Sequence, residues 1–145
     1  MSRYNKIMQR IAAGECILID GATGTEAERR GVPQLDNAWN GGGALSHPDI
    51  VRQVHLEYLQ AGAEMIISNS FATHLHALEA AGEEARFEAY NRRAVELAVE
   101  ARAEAGREDA LVAAGGAAGG AAGGADVGGS RATDGGKGDG EGAGE

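Results

Sequence analysis

Residues 17–26, ILIDGATGTE, join an apolar run to an aspartate and a turn that contains two glycines. The apolar run starts at Cys16 and shows no alternation, which predicts a strand that is buried on both faces, as in a parallel sheet. Two later runs, EMIISNS at 64–70 and ALVAA at 110–114, have the same character. The opening stretch therefore predicts the first strand of a parallel sheet, followed by a turn and a short helix at 24–30.

Apolar residues at helical spacing separate these runs and predict the remaining elements. Helices are expected at 3–13, from 48 to about 62, at 74–82 and from 83 to 105. Residues 34–46 are expected to form a long loop that ends in a helix cap at Ser46, just before Pro48. Alternating strands and helices define the fold class as α/β. They leave open a doubly wound sheet or part of a (β/α) barrel, and both would bring Asp20–Glu26 beside Asn69–Thr73 at the carboxyl ends of the strands.

The bulk composition narrows the class of protein. The formal net charge is −9, and an acidic chain repels phosphate backbones, so no nucleic-acid partner is expected. A single cysteine allows no disulfide within the chain, which is typical of a reducing compartment. The first residues contain no apolar core of a signal peptide, and no stretch is long enough to span a membrane. We expect a cytoplasmic protein without membrane contact.

The last part of the chain differs from the rest. Residues 113–145 are dominated by glycine, alanine and acidic residues, and no large apolar residue follows Val127. Such a segment cannot bury enough surface to offset its chain entropy. The sequence therefore predicts a foldable domain at 1–112 and a disordered low-complexity tail at 113–145.

The turn after the first strand could hold either of two ligands, or none. The spacing G-x-x-G-x-x-A over residues 21–27 occurs in some dinucleotide-binding loops. Against that alternative, residues 31–33 end the next helix too early for a Rossmann crossover, and Asp20 would place a carboxylate beside the phosphates. An amino acid fits better, because Asp20 can accept hydrogen bonds from an ammonium group and free N–H groups of residues 22–25 can bind a carboxylate. On spacing alone, a turn that Asp20 merely caps explains the pattern equally well.

Three motifs in order along the chain resemble the homocysteine S-methyltransferase family. They are ILIDGATGTEAERRG, the segment HPDIVRQVHLEYLQAGA, and IISNSFATH. The family pattern is D-G-x-x-G-T-E, a proline-initiated helix with VHxxYxxAGA, and a strand that ends in (T/S)N(T/S)F. The family includes the homocysteine domain of cobalamin-dependent methionine synthase and the betaine– and S-methylmethionine–homocysteine methyltransferases. The resemblance extends from about residue 16 to residue 112.

The resemblance implies a fold, a reaction and a binding site. The family fold is a (β/α)8 TIM barrel, of which this chain would supply about three N-terminal βα units. The family reaction transfers a methyl group to the sulfur of homocysteine in methionine biosynthesis, and a zinc ion holds that sulfur as a thiolate. By resemblance, Asp20 would take the ammonium group of homocysteine, and Gly21, Ala22, Thr23, Gly24 and Thr25 would hold its carboxylate. Asn69, Ser70 and Phe71 would line the rim beside them.

The resemblance also implies zinc ligands that this sequence lacks. The family's zinc cysteines lie far downstream, two of them in a G-G-C-C segment, and the sequence contains no such segment. Cys16 precedes the first strand and is predicted to be a small buried apolar residue. The four histidines are expected on the surface or in packing, because a zinc site needs three or four convergent ligands. They are His47, His55, His74 and His76.

Two classes of function remain. The chain is either an incomplete homocysteine methyltransferase, inactive alone and with an unspecified methyl donor, or an amino-acid-binding or interaction module without chemistry. The abrupt change of composition at Ala113 leads to the hypothesis of a truncated or frame-shifted chain. Three parallel strands alone would leave an open edge, so we expect marginal stability and self-association. A sharp cooperative melt together with a monomeric mass would contradict that expectation.

Overall fold

The computed structural model describes residues 1–115. The predicted disorder of the glycine-rich tail therefore lies outside the described residues, apart from its first three positions. Ala113, where the tail was expected to begin, is the last residue of a paired strand.

The described chain alternates helices with short parallel strands, as predicted for an α/β fold. The helices are α1 (Arg3–Ala12), α2 (Thr23–Arg29), α3 (Gly43–Ser46), α4 (Pro48–Gln60), α5 (Leu75–Ala80) and α6 (Phe87–Glu104). The strands are β1 (Met65–Ile67) and β2 (Leu111–Ala113), and two 3-10 turns lie at Asn40–Gly42 and Glu84–Arg86. Gly62 follows α4 with a φ of 108°, which favours glycine at this helix end.

The sheet is small and parallel. Met65 pairs with Leu111 and Ile67 with Ala113 in one continuous register between β1 and β2. Ile19 adds a single parallel bridge to Met65 on the other side of β1. The order along the sheet is therefore the order along the chain, with helices forming each connection.

The predicted first strand at 16–20 is only partly formed, and its expected burial on both faces is wrong. Leu18 is 60% exposed and Ile19 is 54% exposed. β1 pairs with one edge of this segment, and the described residues supply no strand on the other edge. Cys16 is exposed too, so its predicted burial is also wrong.

The core lies between α4, α6 and the sheet. Leu56 and Leu59 of α4 pack with Ile66 and Val112 of the strands. On α6 the stripe predicted from helical spacing is buried at five positions, Tyr90, Ala94, Leu97, Ala98 and Ala101. Three of those five are alanines, whose small side chains let the two helices approach closely.

The segment before α4 differs from the predicted loop. Residues 34–46 contain a 3-10 turn and the whole of α3 instead of an irregular connection. Ser46 does not cap α4, because His47 occupies the cap position and no side chain makes a cap hydrogen bond there. The Ser46 hydroxyl donates instead to the carbonyl of Gly42 at 3.1 Å. Pro48 occupies the start of α4 as expected. Across residues 1–115, no helix combines the length and apolar character needed to cross a membrane.

Candidate functional site

A cleft of about 410 Å³ opens beyond the carboxyl ends of residues 16–20 and β1. One wall is formed by residues 21–25, of which residues 23–25 are the first residues of α2, and the opposite wall includes Asn69 and Phe71. Trp39, Asn40 and Gly41 form the third side. The sequence motifs of two different βα units therefore line one cavity. A second depression, of about 370 Å³, lies on α1 and contains none of the motif residues.

Two predicted site residues do not line the cleft directly. Ser70 is 1% exposed, and its hydroxyl donates to the carbonyl of Gly115 at 2.7 Å. Asp20 is 8% exposed and lies at the base of the loop, where its Oδ2 accepts a hydrogen bond of 2.8 Å from the N–H of Ile67. This bond joins the first segment to β1 just below the cleft.

Burial raises the pKa of Asp20 above its ordinary value, and the hydrogen bond from the N–H of Ile67 opposes part of that rise. The charged carboxylate is thus partly desolvated without a cationic partner in the described chain. A bound ammonium group next to it would offset this cost.

Asn40 is the main site residue that sequence reasoning missed. It is 4% exposed, and its side-chain Nδ2 donates to the carbonyl of Val32 at 3.1 Å. Its backbone carbonyl accepts a hydrogen bond of 2.9 Å from Asn69 Nδ2. It therefore fixes the position of Asn69 on the opposite wall. The available signal was one amide side chain directly before three consecutive glycines.

Thr73 fixes the wall that carries Phe71. It is fully buried, and its Oγ1 lies 3.1 Å from the carbonyl of Ser70 and 3.0 Å from Asn91 Oδ1. Asn91 of α6 donates in return to the carbonyl of Thr73 at 2.8 Å. A Cβ on Gly41 would come within 2.5 Å of Thr73 Cγ2, so the two walls touch here.

Two aromatic rings stand at the mouth of the cleft. The centroids of Trp39 and Phe71 are 6.2 Å apart, with planes inclined by 30°. Trp39 is 60% exposed and Phe71 is 69% exposed. Large exposed aromatic faces at a cavity are available to a ligand.

An ionic network holds α2 against α4. Arg30 forms ion pairs with Glu26 and with Glu57 of α4, at 2.7 Å and 2.6 Å. Hydrogen bonds from Arg29 and Arg30 lower the pKa of Glu26 to about 2. Hydrogen bonds from Arg30 and Gln53 lower the pKa of Glu57 to about 2. The network fixes α2, whose first residues, 23–25, belong to the cleft wall.

The described residues do not fit a zinc ion. Among residues 1–115, no three or more His, Cys, Asp or Glu side chains converge in a way that could hold a metal. His74 is engaged as the cap of α5, because its Nδ1 accepts from the N–H of Ala77 at 3.2 Å. His55 is fully buried, and burial lowers its pKa to about 4.

Comparison with known proteins supplies the context for this cleft. The family model of homocysteine S-methyltransferases matches residues 17–133, and this match continues past residue 113. The selenocysteine methyltransferase of Astragalus bisulcatus is 42% identical over 87 residues, which are 59% of this chain and 26% of that protein. The homocysteine S-methyltransferase of Escherichia coli K12 is 34% identical over 99 residues, which are 68% of this chain and 32% of that protein.

A solved structure agrees with the sequence comparisons. The metallated form of the homocysteine methyltransferase MmuM from Escherichia coli superposes with a TM-score of 0.59 at 32% identity. The superposition covers 74% of this chain and 41% of that one, so the described fold is similar to the N-terminal part of a homocysteine methyltransferase. These matches give no support to a dinucleotide-binding loop, although this chain spans only about a third or less of its curated relatives. The chain belongs to the homocysteine S-methyltransferase family.

Proposed function

We propose that this chain is the N-terminal part of a (β/α)8 barrel and binds the amino-acid end of homocysteine in the cleft. The observation that carries the proposal is the meeting of residues 21–25 with Asn69 and Phe71 around one cavity. Asp20 takes the ammonium group, and the loop of residues 21–25 takes the carboxylate. A partly desolvated carboxylate gains most from a cationic partner.

The proposed ligand class is an amino acid that carries a thiol or a selenol. Two of the relatives are named for homocysteine and for selenocysteine, which share that chemistry. The α-amino and α-carboxylate groups enter the base of the cleft, and the side-chain sulfur or selenium points toward Trp39 and Phe71. The methyl donor is not specified by the cleft.

We assign to this chain the binding of the amino acid, as part of methyl transfer to homocysteine in methionine biosynthesis. Activation of the thiol as a zinc thiolate is not assigned to these residues, because the described part of the chain brings no group of three or more His, Cys, Asp or Glu side chains together to hold a metal. The alternative function, an amino-acid-binding module that catalyses no reaction, would use the same cleft. The two alternatives differ only in whether a methyl donor is consumed.

Asp20→Asn tests the proposed site. An asparagine can still accept the hydrogen bond from the N–H of Ile67, so the fold should remain intact. The substitution removes the negative charge, and we expect the affinity for L-homocysteine to fall about tenfold or more. Isothermal titration calorimetry measures the change, with Asp36→Asn at an exposed loop position as the matched control. Equal affinities for all three proteins would overturn the site.

A further inference from the structure

The buried amide of Asn40 has one polar atom without a partner. Its Nδ2 and its backbone carbonyl are both engaged, whereas no described residue donates to its Oδ1. Asn40 is 4% exposed but lines the cleft, and its Oδ1 is not sealed from solvent. A side chain of this kind, buried and directed into a cavity, is arranged to meet a ligand.

The orientation of this amide follows from its surroundings. Nδ2 faces the carbonyl of Val32 at 3.1 Å, and an amide turned over would place two acceptor oxygens against each other. Oδ1 must therefore face the other way, toward the loop. It lies 3.7 Å from the position that a Cβ on Gly24 would take.

The chemistry of Oδ1 restricts its partner to a hydrogen-bond donor. The amino-acid end of the proposed ligand carries a carboxylate, which only accepts, and an ammonium group, which only donates. The thiol or selenol is at the other end of the ligand, away from Gly24. The ammonium group is thus the ligand donor that meets this oxygen.

We propose that Asn40 determines specificity in the cleft, with Oδ1 accepting a hydrogen bond from the ammonium group of the bound amino acid. The inference rests on the proposed function and deepens it. An ammonium group has three N–H donors, so a hydrogen bond to Asn40 leaves two of them for other acceptors. Asn40 then selects α-amino acids over thiol acids that lack nitrogen.

The test compares L-homocysteine with 4-mercaptobutanoate, which has the same chain and carboxylate but no ammonium group. For each protein, calorimetry gives the ratio of the association constant for L-homocysteine to the association constant for 4-mercaptobutanoate. Asn40→Leu should lower this ratio about tenfold or more, because a hydrogen bond to a charged group is lost. Asn5→Leu on the exposed face of α1 should leave the ratio unchanged.

If Asn40→Leu does not fold, Gly24→Ala tests the same hydrogen bond to Asn40 Oδ1. Its added methyl group would make an ordinary contact of 3.7 Å with Asn40 Oδ1 and would stand before that atom. The fold is retained because Gly24 lies in α2, where alanine is favoured over glycine. The affinity ratio should fall here too.

Three results have distinct meanings. A lower ratio in the folded variants supports the assignment of Asn40. Equal weakening of both compounds, with the ratio unchanged, would show that Asn40 acts only through Val32 and would overturn the inference while sparing the proposed function. If the unaltered chain binds neither compound, both the proposed function and this inference are overturned.

Discussion

The layer formed by α4 and α6 and the segment at 16–20 are both rich in apolar residues, yet they differ sharply in burial. Leu59 is 1% exposed and Leu97 is 1% exposed, whereas Leu18 is 60% exposed. All three leucines lie in patterns that predicted burial. The difference comes from their neighbours and not from their own sequence.

The apolar face of each helix in the buried layer is covered by other described residues. The leucines of α4 pack onto Ala98 and Ala101 of α6 and onto both strands. The segment at 16–20 has β1 on one side only, joined through one bridge at Ile19. A strand of a parallel sheet needs a neighbour on each edge and a layer on each face, and these come from distant parts of a chain.

The largest expected effect comes from deleting the same group in the two regions. Leu59→Ala should lower the free energy of unfolding by between about 2 and 5 kcal/mol, because it removes buried methyl groups and leaves a cavity. Leu18→Ala should change it by less than about 0.5 kcal/mol, since that side chain is mostly in water already. Urea unfolding monitored by circular dichroism measures both.

The same pair of variants can also contradict the difference in burial between the two regions. If Leu18→Ala costs as much as Leu59→Ala, residue 18 is covered in solution, as a self-associated sheet edge would require. Repeating the Leu18→Ala measurement at several protein concentrations would then separate association from folding, because stability gained by association rises with concentration.

A second expected effect concerns His55, the most unusual member of the buried layer. Both of its ring nitrogens are sealed and without a hydrogen-bond partner among the described residues. Burial lowers its pKa from 6.5 to about 4. The unfolded chain therefore binds a proton more readily than the folded one, and stability falls as the pH drops from 6.5 toward 4. The loss reaches about 3 kcal/mol at the lower limit.

His55→Leu removes this titration and should flatten the stability profile between pH 4 and pH 6.5. It should also raise stability at neutral pH, because an unsatisfied polar group leaves the core. His76→Leu is the control, since the side chain of His76 is 91% exposed. An unchanged slope in His55→Leu, measured by urea unfolding at several pH values, would show that His55 is hydrated or paired in solution.

The sequence predicted the local elements well because their causes are local. Helical spacing located α4 and α6, and Gly62 and Gly106 follow these helices with positive φ as helix-ending residues. The turn after Asp20 was likewise predictable, from an aspartate and two glycines after an apolar run, and α2 begins within it at Thr23. Asn69 and Phe71 were placed opposite it because parallel strands end at a common edge.

Contacts between distant segments could not be predicted in the same way. The roles of Asn40 and Thr73 depend on Val32 and Asn91, which no periodicity connects to them. Ser70 was expected on the rim, but its side chain turns inward to the carbonyl of Gly115. Such polar pairings depend on how two loops approach each other after the helices have packed.

The smallest expected effect tests that approach of the loops. Gly41→Ala should lower the free energy of unfolding by about 1–3 kcal/mol, because the new methyl group would lie 2.5 Å from the Cγ2 atom of buried Thr73. We expect relief of the clash to push the two walls of the cleft apart. The affinity for L-homocysteine should therefore fall together with stability, measured by thermal unfolding and by calorimetry on the same preparation.

Gly42→Ala is the matched control one residue later. Its new methyl group would meet Leu35 at an ordinary 3.6 Å, and its backbone, with a φ of −60°, is already helical. Stability and affinity should both stay close to those of the unaltered chain. If Gly41→Ala behaves like Gly42→Ala, the 39–41 turn yields without cost, and the two cleft walls are independent of each other. If only Gly41→Ala weakens both properties, the contact with Thr73 sets the width of the cleft.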